Sequence, residues 1–146
     1  MPLEDQESWL QPFGVDTFAG RCEFAFNDSI PITVETAGDG NLMIFAATLA
    51  PLPDDAPSDV LRRILRMNHK GQRTGGGTLA LDETGRSLVL WLGWPTAALD
   101  GASFAALFGT FLDHADELRA EIGRQLTAQN AADDAAPLRG GNILQV

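Results

Sequence analysis

Hydrophobic and polar residues alternate along the first third of the chain in a way that is typical of half-buried β-strands. In the first of these strands Cys22, Phe24 and Phe26 point to one side, and Arg21 and Glu23 point to the other. Clusters of Asn, Asp, Ser and Gly follow the first two strands and predict tight turns. We therefore predict a meander of three strands, at residues 21–26, 30–36 and 42–49.

Two later stretches carry apolar residues at steps of three and four, which predicts amphipathic helices. The predicted segments are a short helix at residues 4–13 that Pro12 interrupts, a helix at 58–67, a hairpin at 75–82 and 87–94, and a helix from 103 to about 128. The order α-β-β-β-α-β-β-α predicts an α+β sandwich, in which helices pack on a twisted antiparallel sheet. Residues 1–128 form the predicted domain, and residues 129–146 form a predicted flexible C-terminal tail.

The strand SLVLWLGWP at residues 87–95 has no polar face. Val89 and Trp91 point one way, and the leucines and Trp94 point the other. A sheet face in contact with water should carry polar residues, and a second subunit commonly covers surplus apolar surface. We therefore predict a homodimer, although the second helix of the same chain could also cover this face. The predicted dimer interface is Leu61, Ile64, Leu65, Val89, Trp91 and Trp94.

Composition excludes several classes of partner. The chain of 146 residues has a net charge of −10 and a sequence pI of about 4.4. This charge argues against nucleic acid and against anionic membrane surfaces as partners. The start MPLEDQESWL has no signal-peptide pattern, and no apolar run approaches the roughly 20 residues of a membrane helix. We therefore expect a soluble cytoplasmic protein.

Little in the sequence indicates catalysis. His69 and His114 are the only histidines, and neither has the spacing of a metal site. Cys22 alternates with phenylalanines, which is typical of a core residue. The glycine run at residues 75–77 lacks the Lys-Ser or Lys-Thr pair of a phosphate loop. We therefore predict no enzymatic activity, no metal and no cofactor.

Half of the basic residues lie in one stretch without an acidic residue. This stretch forms either a solvated helix face or an anchor for an acidic surface on a partner, including a second subunit. The residues, called the basic patch below, are Arg62, Arg63, Arg66, Lys70 and Arg73.

Four segments resemble, in order and spacing, motifs of the class I type III secretion chaperones, the Tir-chaperone (CesT-like) family. The resemblance covers residues 21–128. The segments are TLAPLP at 48–53, LRRILRMN at 61–68, GGTLALDETGRSLVLW at 76–91, and Phe104, Phe111, Ala115 and Leu118 in the last helix. The chain departs from the family in its short first helix, in Leu118, where the family often has an aromatic residue, and in its extra tail.

The resemblance implies a bacterial cytoplasmic homodimer with a role in virulence. Such a chaperone binds the N-terminal region of a secreted effector and keeps it extended and secretion-competent, without ATP or metal. The effector adds a strand to an exposed sheet edge. The resemblance places the effector patch at Trp9, Phe13, Phe24, Phe26, Ile32 and Val34. The alternatives are a small-molecule-binding or regulatory α+β domain without catalysis and, less favoured, an enzyme on the same scaffold.

Overall fold

Five strands form one antiparallel sheet, and a long helix crosses one side of it. The computed structural model describes residues 8–15 and 18–144, with side chains as far as residue 128. The spatial order of the strands is β1-β2-β3-β5-β4, which confirms the predicted α+β fold. The elements are β1 (Arg21–Phe26), β2 (Ile30–Ala37), β3 (Leu42–Pro51), α1 (Ser58–Arg66), β4 (Thr78–Leu81), β5 (Ser87–Pro95) and α2 (Gly101–Leu144), with 3-10 helices at Gln11–Phe13, His69–Gly71 and Thr96–Ala98.

The core lies between the sheet and α2, on what we call the helix side of the sheet. Alternate residues of each strand point to this side because the backbone is pleated. Phe45, in the central strand β3, contacts the rings of Phe104, Phe108 and Phe111 on α2, with ring centroids 5.6, 4.8 and 5.5 Å apart. One buried row across the sheet is Ile32, Ala47, Leu90 and Leu79.

The two smaller helical segments close the ends of this core. Residues 8 and 9 are helical, and the predicted helix at residues 4–7 lies outside the described residues. Trp9 is buried with its ring centroid 5.3 Å from that of Phe104. Val60 and Ile64 of α1 are also buried in the core. The helical residues 8 and 9 and the helix α1 therefore both belong to the helical layer on the helix side of the sheet.

A capping box begins α2. The Ser103 N–H donates to Asp100 Oδ1, and the Asp100 N–H donates to Ser103 Oγ, both at 2.8 Å. These bonds satisfy N–H groups that a helix start leaves without partners. The hydrogen bond from the Ser103 backbone holds the pKa of the Asp100 carboxyl below its usual value. The helix begins at Gly101, two residues before the predicted start at residue 103.

The end of α2 differs from the prediction. We expected the helix to end near residue 128, but the backbone stays helical to Leu144. At 1.5 Å per residue, its 44 residues span about 66 Å. Five of the nine residues from 128 to 136 are alanine, the best helix former, which favours this continuation. The division into a domain at residues 1–128 and a tail at 129–146 stays a prediction.

Phe108 should be critical for stability because its buried ring contacts Phe45 on the sheet and its neighbours on α2. We expect Phe108→Ala to lower the free energy of unfolding by about 3–5 kcal/mol, through lost burial and a cavity. Urea unfolding measures this loss. The control is Leu65→Ala, at a residue that is 63% exposed, with an expected change within about 0.5 kcal/mol. Similar losses in the two variants would contradict this account of the core.

Candidate functional site

The outer edge of β1 presents backbone groups that the sheet does not use. In an antiparallel pair, successive residues point their N–H and C=O groups alternately toward and away from the neighbouring strand. The Thr36 N–H donates to the Gly20 C=O at 2.9 Å, which fixes this alternation at the start of β1. The backbone groups of Arg21, Glu23 and Ala25 therefore point away from β2. An added strand could therefore form backbone hydrogen bonds with these N–H and C=O groups.

Three half-buried aromatic rings lie beside this edge, on the helix side. They belong to Phe13, Phe24 and Phe26, and we call them the edge patch. Phe13 and Phe24 both contact Phe108 edge-on, with ring centroids 4.7 and 6.1 Å apart. The core therefore holds the inner sides of these two rings while their outer sides remain accessible. Such a surface can bind apolar side chains of a strand paired with β1.

The predicted effector residues divide into two groups in the structure. Phe13, Phe24 and Phe26 form the edge patch, and the first two come together around Phe108. Trp9, Ile32 and Val34 are only 6%, 0% and 0% exposed. These three side chains belong to the core of the subunit, so they offer little surface to a partner. The alternation of the strands predicted the correct side of the sheet but not the depth of each side chain.

The opposite side of the sheet, which we call the open face, has no helix packed across it in the described residues. One row across all five strands holds Glu23, Thr33, Ala46, Trp91 and Thr78. Trp91 is 42% exposed. Small residues near β1 leave an open depression of about 420 Å³ on this face, lined in part by Ala25, Pro31, Thr33 and Thr48. The second predicted helix is α1, and it does not cover Trp91. The alternative in which this helix covers the apolar face within one chain is therefore wrong.

The structure separates the residues predicted for the dimer interface. Val89 and Trp91 lie on the open face, whereas Trp94 pairs with Met43 and points to the helix side. On α1, Leu65 is exposed and Leu61 is half-buried, but Ile64 is only 2% exposed. Trp91, Trp94 and Leu65 rank among the large exposed apolar side chains. The surplus apolar surface is therefore real, but it does not form a single face.

Charged residues surround the open end of β1. Arg21 makes ion pairs with Glu23 at 2.6 Å and with Glu35 at 3.1 Å. The hydrogen bond to Glu23 is the main cause of the raised pKa of Arg21. All three side chains are exposed, so these pairs contribute little to stability. Charges at an edge strand do, however, oppose pairing between identical edges when the symmetric pair is centred on Glu23, because two carboxylates would then face each other.

The basic patch lines two open depressions beside α1. The first depression has a volume of about 240 Å³. Its lining consists of Arg63, Arg66, Met67, Arg73 and, from α2, Gln125. Arg62, Leu65, Arg66 and His69 line a second volume of about 560 Å³. Acidic residues partly neutralise the patch, since Arg63 pairs with Asp59 at 3.0 Å and Arg73 lies 4.0 Å from Glu121. The patch is a solvated surface with concave parts.

The described residues, 8–15 and 18–144, offer neither a metal site nor a membrane-spanning helix. Within them, no group of three or more His, Cys, Asp and Glu side chains could hold a metal ion. In the same part of the chain, no helix has the length and apolar character needed to cross a membrane.

Sequence reasoning missed two features of the sheet edges. Phe108 lies within the predicted last helix but was given no role at a sheet edge, yet its ring contacts two rings of the edge patch. Leu81, at the end of β4, is 49% exposed and was not predicted to be a surface residue. Alternation places Leu81 on the same side of β4 as the buried Leu79, so only the fold shows that Leu81 is exposed. Likewise, only the fold brings Phe108 next to β1.

The model of the Tir chaperone protein (CesT) family matches residues 11–119. The chain belongs to this family. The match spans the whole sheet and α1, and it includes β1 and the edge patch. The predicted resemblance is therefore confirmed, and this is a chaperone family. Comparison with curated protein sequences finds no match.

Three solved structures share the fold of this CesT-family chain. The ExsC–ExsE complex matches with a TM-score of 0.64 and 17% identity, over 78% of this chain and 87% of that chain. The HopA1–SchA chaperone–effector complex matches with a TM-score of 0.61 and 14% identity, over 81% and 92%. The ExoU–SpcU complex from the type III secretion system of Pseudomonas aeruginosa matches with a TM-score of 0.64 and 18% identity, over 82% and 95%.

Cys22 is a natural reporter of the β1 edge because it lies on that strand, half-buried on the helix side. Burial raises the pKa of its thiol, so less of the reactive thiolate is present at a given pH. We expect DTNB at pH 8 to modify Cys22 at least about tenfold more slowly in the folded chain than in urea. A Cys22→Ser variant should give no signal. Equal rates in the folded and unfolded chain would contradict the burial of this thiol.

Proposed function

We propose that this protein is a type III secretion chaperone, which binds the N-terminal region of a secreted effector and keeps it extended and secretion-competent. Membership of the CesT family supports the general class. The observation that carries the specific proposal is the β1 edge, where three residues offer backbone groups that have no partner among the described residues, beside the edge patch. An extended segment satisfies such an edge by β-augmentation.

The mode of binding follows from the geometry of this edge. Backbone hydrogen bonds to Arg21, Glu23 and Ala25 would supply affinity for many sequences. Contacts with Phe13, Phe24 and Phe26 would select for apolar side chains at alternate positions of the effector strand. Neither contribution involves a reaction, a cofactor or a metal, so we propose a binding protein and not an enzyme. The site of action is the bacterial cytoplasm.

We further propose that two subunits associate through the open face. Val89 and Trp91 offer the apolar surface there, whereas Leu61 and Leu65 lie on α1, in the layer on the helix side, and are left out of this interface. Trp91 is large, and its burial would contribute strongly to the association. Ile64 supports α1 from inside the core, and Trp94 lies on the other side of the sheet, so neither is part of this revised interface.

Removing one outward N–H at β1 should weaken effector binding. In Ala25→Pro the lost N–H points away from β2, so the sheet keeps its own hydrogen bonds, as edge prolines do. We expect affinity for the N-terminal region of a secreted effector from the same bacterium to fall at least about fivefold, which corresponds to one backbone hydrogen bond of about 1 kcal/mol. Isothermal titration calorimetry measures the affinity.

The matched control for this experiment is Ala25→Ser, which keeps the N–H and should bind like the parent chain. A thermal unfolding scan establishes that both variants fold. Undiminished binding by Ala25→Pro would show that β1 is not the edge that receives the effector.

The oligomeric state tests the role of the open face. We expect light scattering on a sizing column to give twice the subunit mass of 15.6 kDa for the parent chain. Trp91→Glu should give the single-subunit mass, because a charge would be buried without a partner. Trp94→Glu, at a similarly exposed tryptophan on the other side, should keep the parent mass. A monomeric parent chain, or a dimeric Trp91→Glu variant, would rule out this interface.

A further inference from the structure

The second edge of the sheet, at β4, is occupied by a side chain. Asn68 follows α1, and its Nδ2 donates to the Leu79 C=O at 3.0 Å. The Leu79 N–H donates in turn to Asn68 Oδ1 at 2.7 Å. The amide of Asn68 thus bonds both backbone groups of one residue, as the backbone of a neighbouring strand would.

Only two residues of β4 could offer such groups. The Asp82 N–H donates to the Ser87 C=O at 3.0 Å, so residue 82 faces β5. By the alternation of antiparallel pairs, Ala80 and Thr78 also face β5, and Leu79 and Leu81 face outward. Because Asn68 bonds both backbone groups of Leu79, only Leu81 still has outward backbone groups to offer, and it lies next to the turn that ends the strand. An added strand would therefore not find two successive outward-facing residues on β4 to which it could bond.

A rigid turn holds Asn68 at this position. Its own N–H donates to the Leu65 C=O at 3.1 Å, and its C=O accepts from the Gly71 N–H at 3.0 Å. Lys70 and Gly71 have φ values of 59° and 68°, in the left-handed region. A Cβ at Gly71 would lie 3.3 Å from the Cα of Gly76, so the loop backbone is closely packed there. The main chain therefore fixes where the Asn68 amide points.

We propose that Asn68 closes the β4 edge against strand addition, so that a partner strand joins the sheet at β1. Within the described ranges, no side chain makes an equivalent pair of bonds to the outward groups of β1. The two edges are thus chemically different, and the difference selects where an extended segment binds. The assignment of β1 as the acceptor edge rests on the proposed function, whereas the closure of β4 does not.

Hydrogen exchange resolved by NMR tests the closure directly. In the parent chain, the Leu79 amide should exchange slowly although it lies on an edge. Asn68→Ala should raise its exchange rate about a hundredfold, while the Ala80 amide, bonded to β5, stays protected. Asn68→Asp should leave Leu79 less protected than in the parent chain but more protected than in Asn68→Ala, because a carboxylate oxygen can accept from the Leu79 N–H but cannot donate to the Leu79 C=O. Asn41→Ala, at an exposed asparagine in the turn before β3, is the matched control.

Sedimentation velocity tests the consequence. Asn68→Ala opens a second edge, so its mass distribution should shift upward with concentration, whereas Asn41→Ala should match the parent chain. Unchanged exchange at Leu79, or a parent-like mass distribution for Asn68→Ala, would overturn the proposal. If no effector binds at β1, the proposed function fails, but the exchange result at Leu79 is unaffected.

Discussion

The contact between Phe45 in the central strand and the phenylalanines of α2 is the centre of the hydrophobic core, and the rest of the subunit packs around it. It joins the middle of the sheet to the longest helix, so every other helical segment must pack around it on the same side. Trp9 and Ile64 do so at the two ends of the core. The consequence is that, in the described residues, the helices complete the hydrophobic core on one side of the sheet and leave the other side without a helical layer.

This one-sidedness explains why the same strands can serve both stability and binding. On the helix side, side chains at the centre of the sheet are fully buried, and those at the β1 edge are only half-buried. The edge patch is therefore the margin of the core itself. A partner that covers it extends a surface that α2 already supports, so little reorganisation is needed before binding.

The sequence predicted the order of elements and the side of each strand residue, because both follow from local periodicity. It could not predict depth, so Ile32 and Val34 were expected at a surface although they lie in the core between the sheet and the helices. It also grouped Trp94 with Trp91, although the alternation in SLVLWLGWP already placed them on opposite sides. The end of α2 was missed because the pattern of apolar residues at steps of three and four stops near residue 126, whereas alanines continue the helix without such a pattern. Asn68 became meaningful only when the fold placed it against Leu79.

The outward-facing residues of β1 have a further consequence for any strand that binds there. Such a segment becomes the sixth strand of the sheet, and its side chains alternate between two different surroundings. Every second side chain meets the aromatic margin of the core, and the others extend the row that holds Glu23 and Trp91. A slip of one residue would exchange the two sets completely. The two sets of side chains in a bound segment would therefore meet different selection, one set at the aromatic margin of the core and the other on the open face.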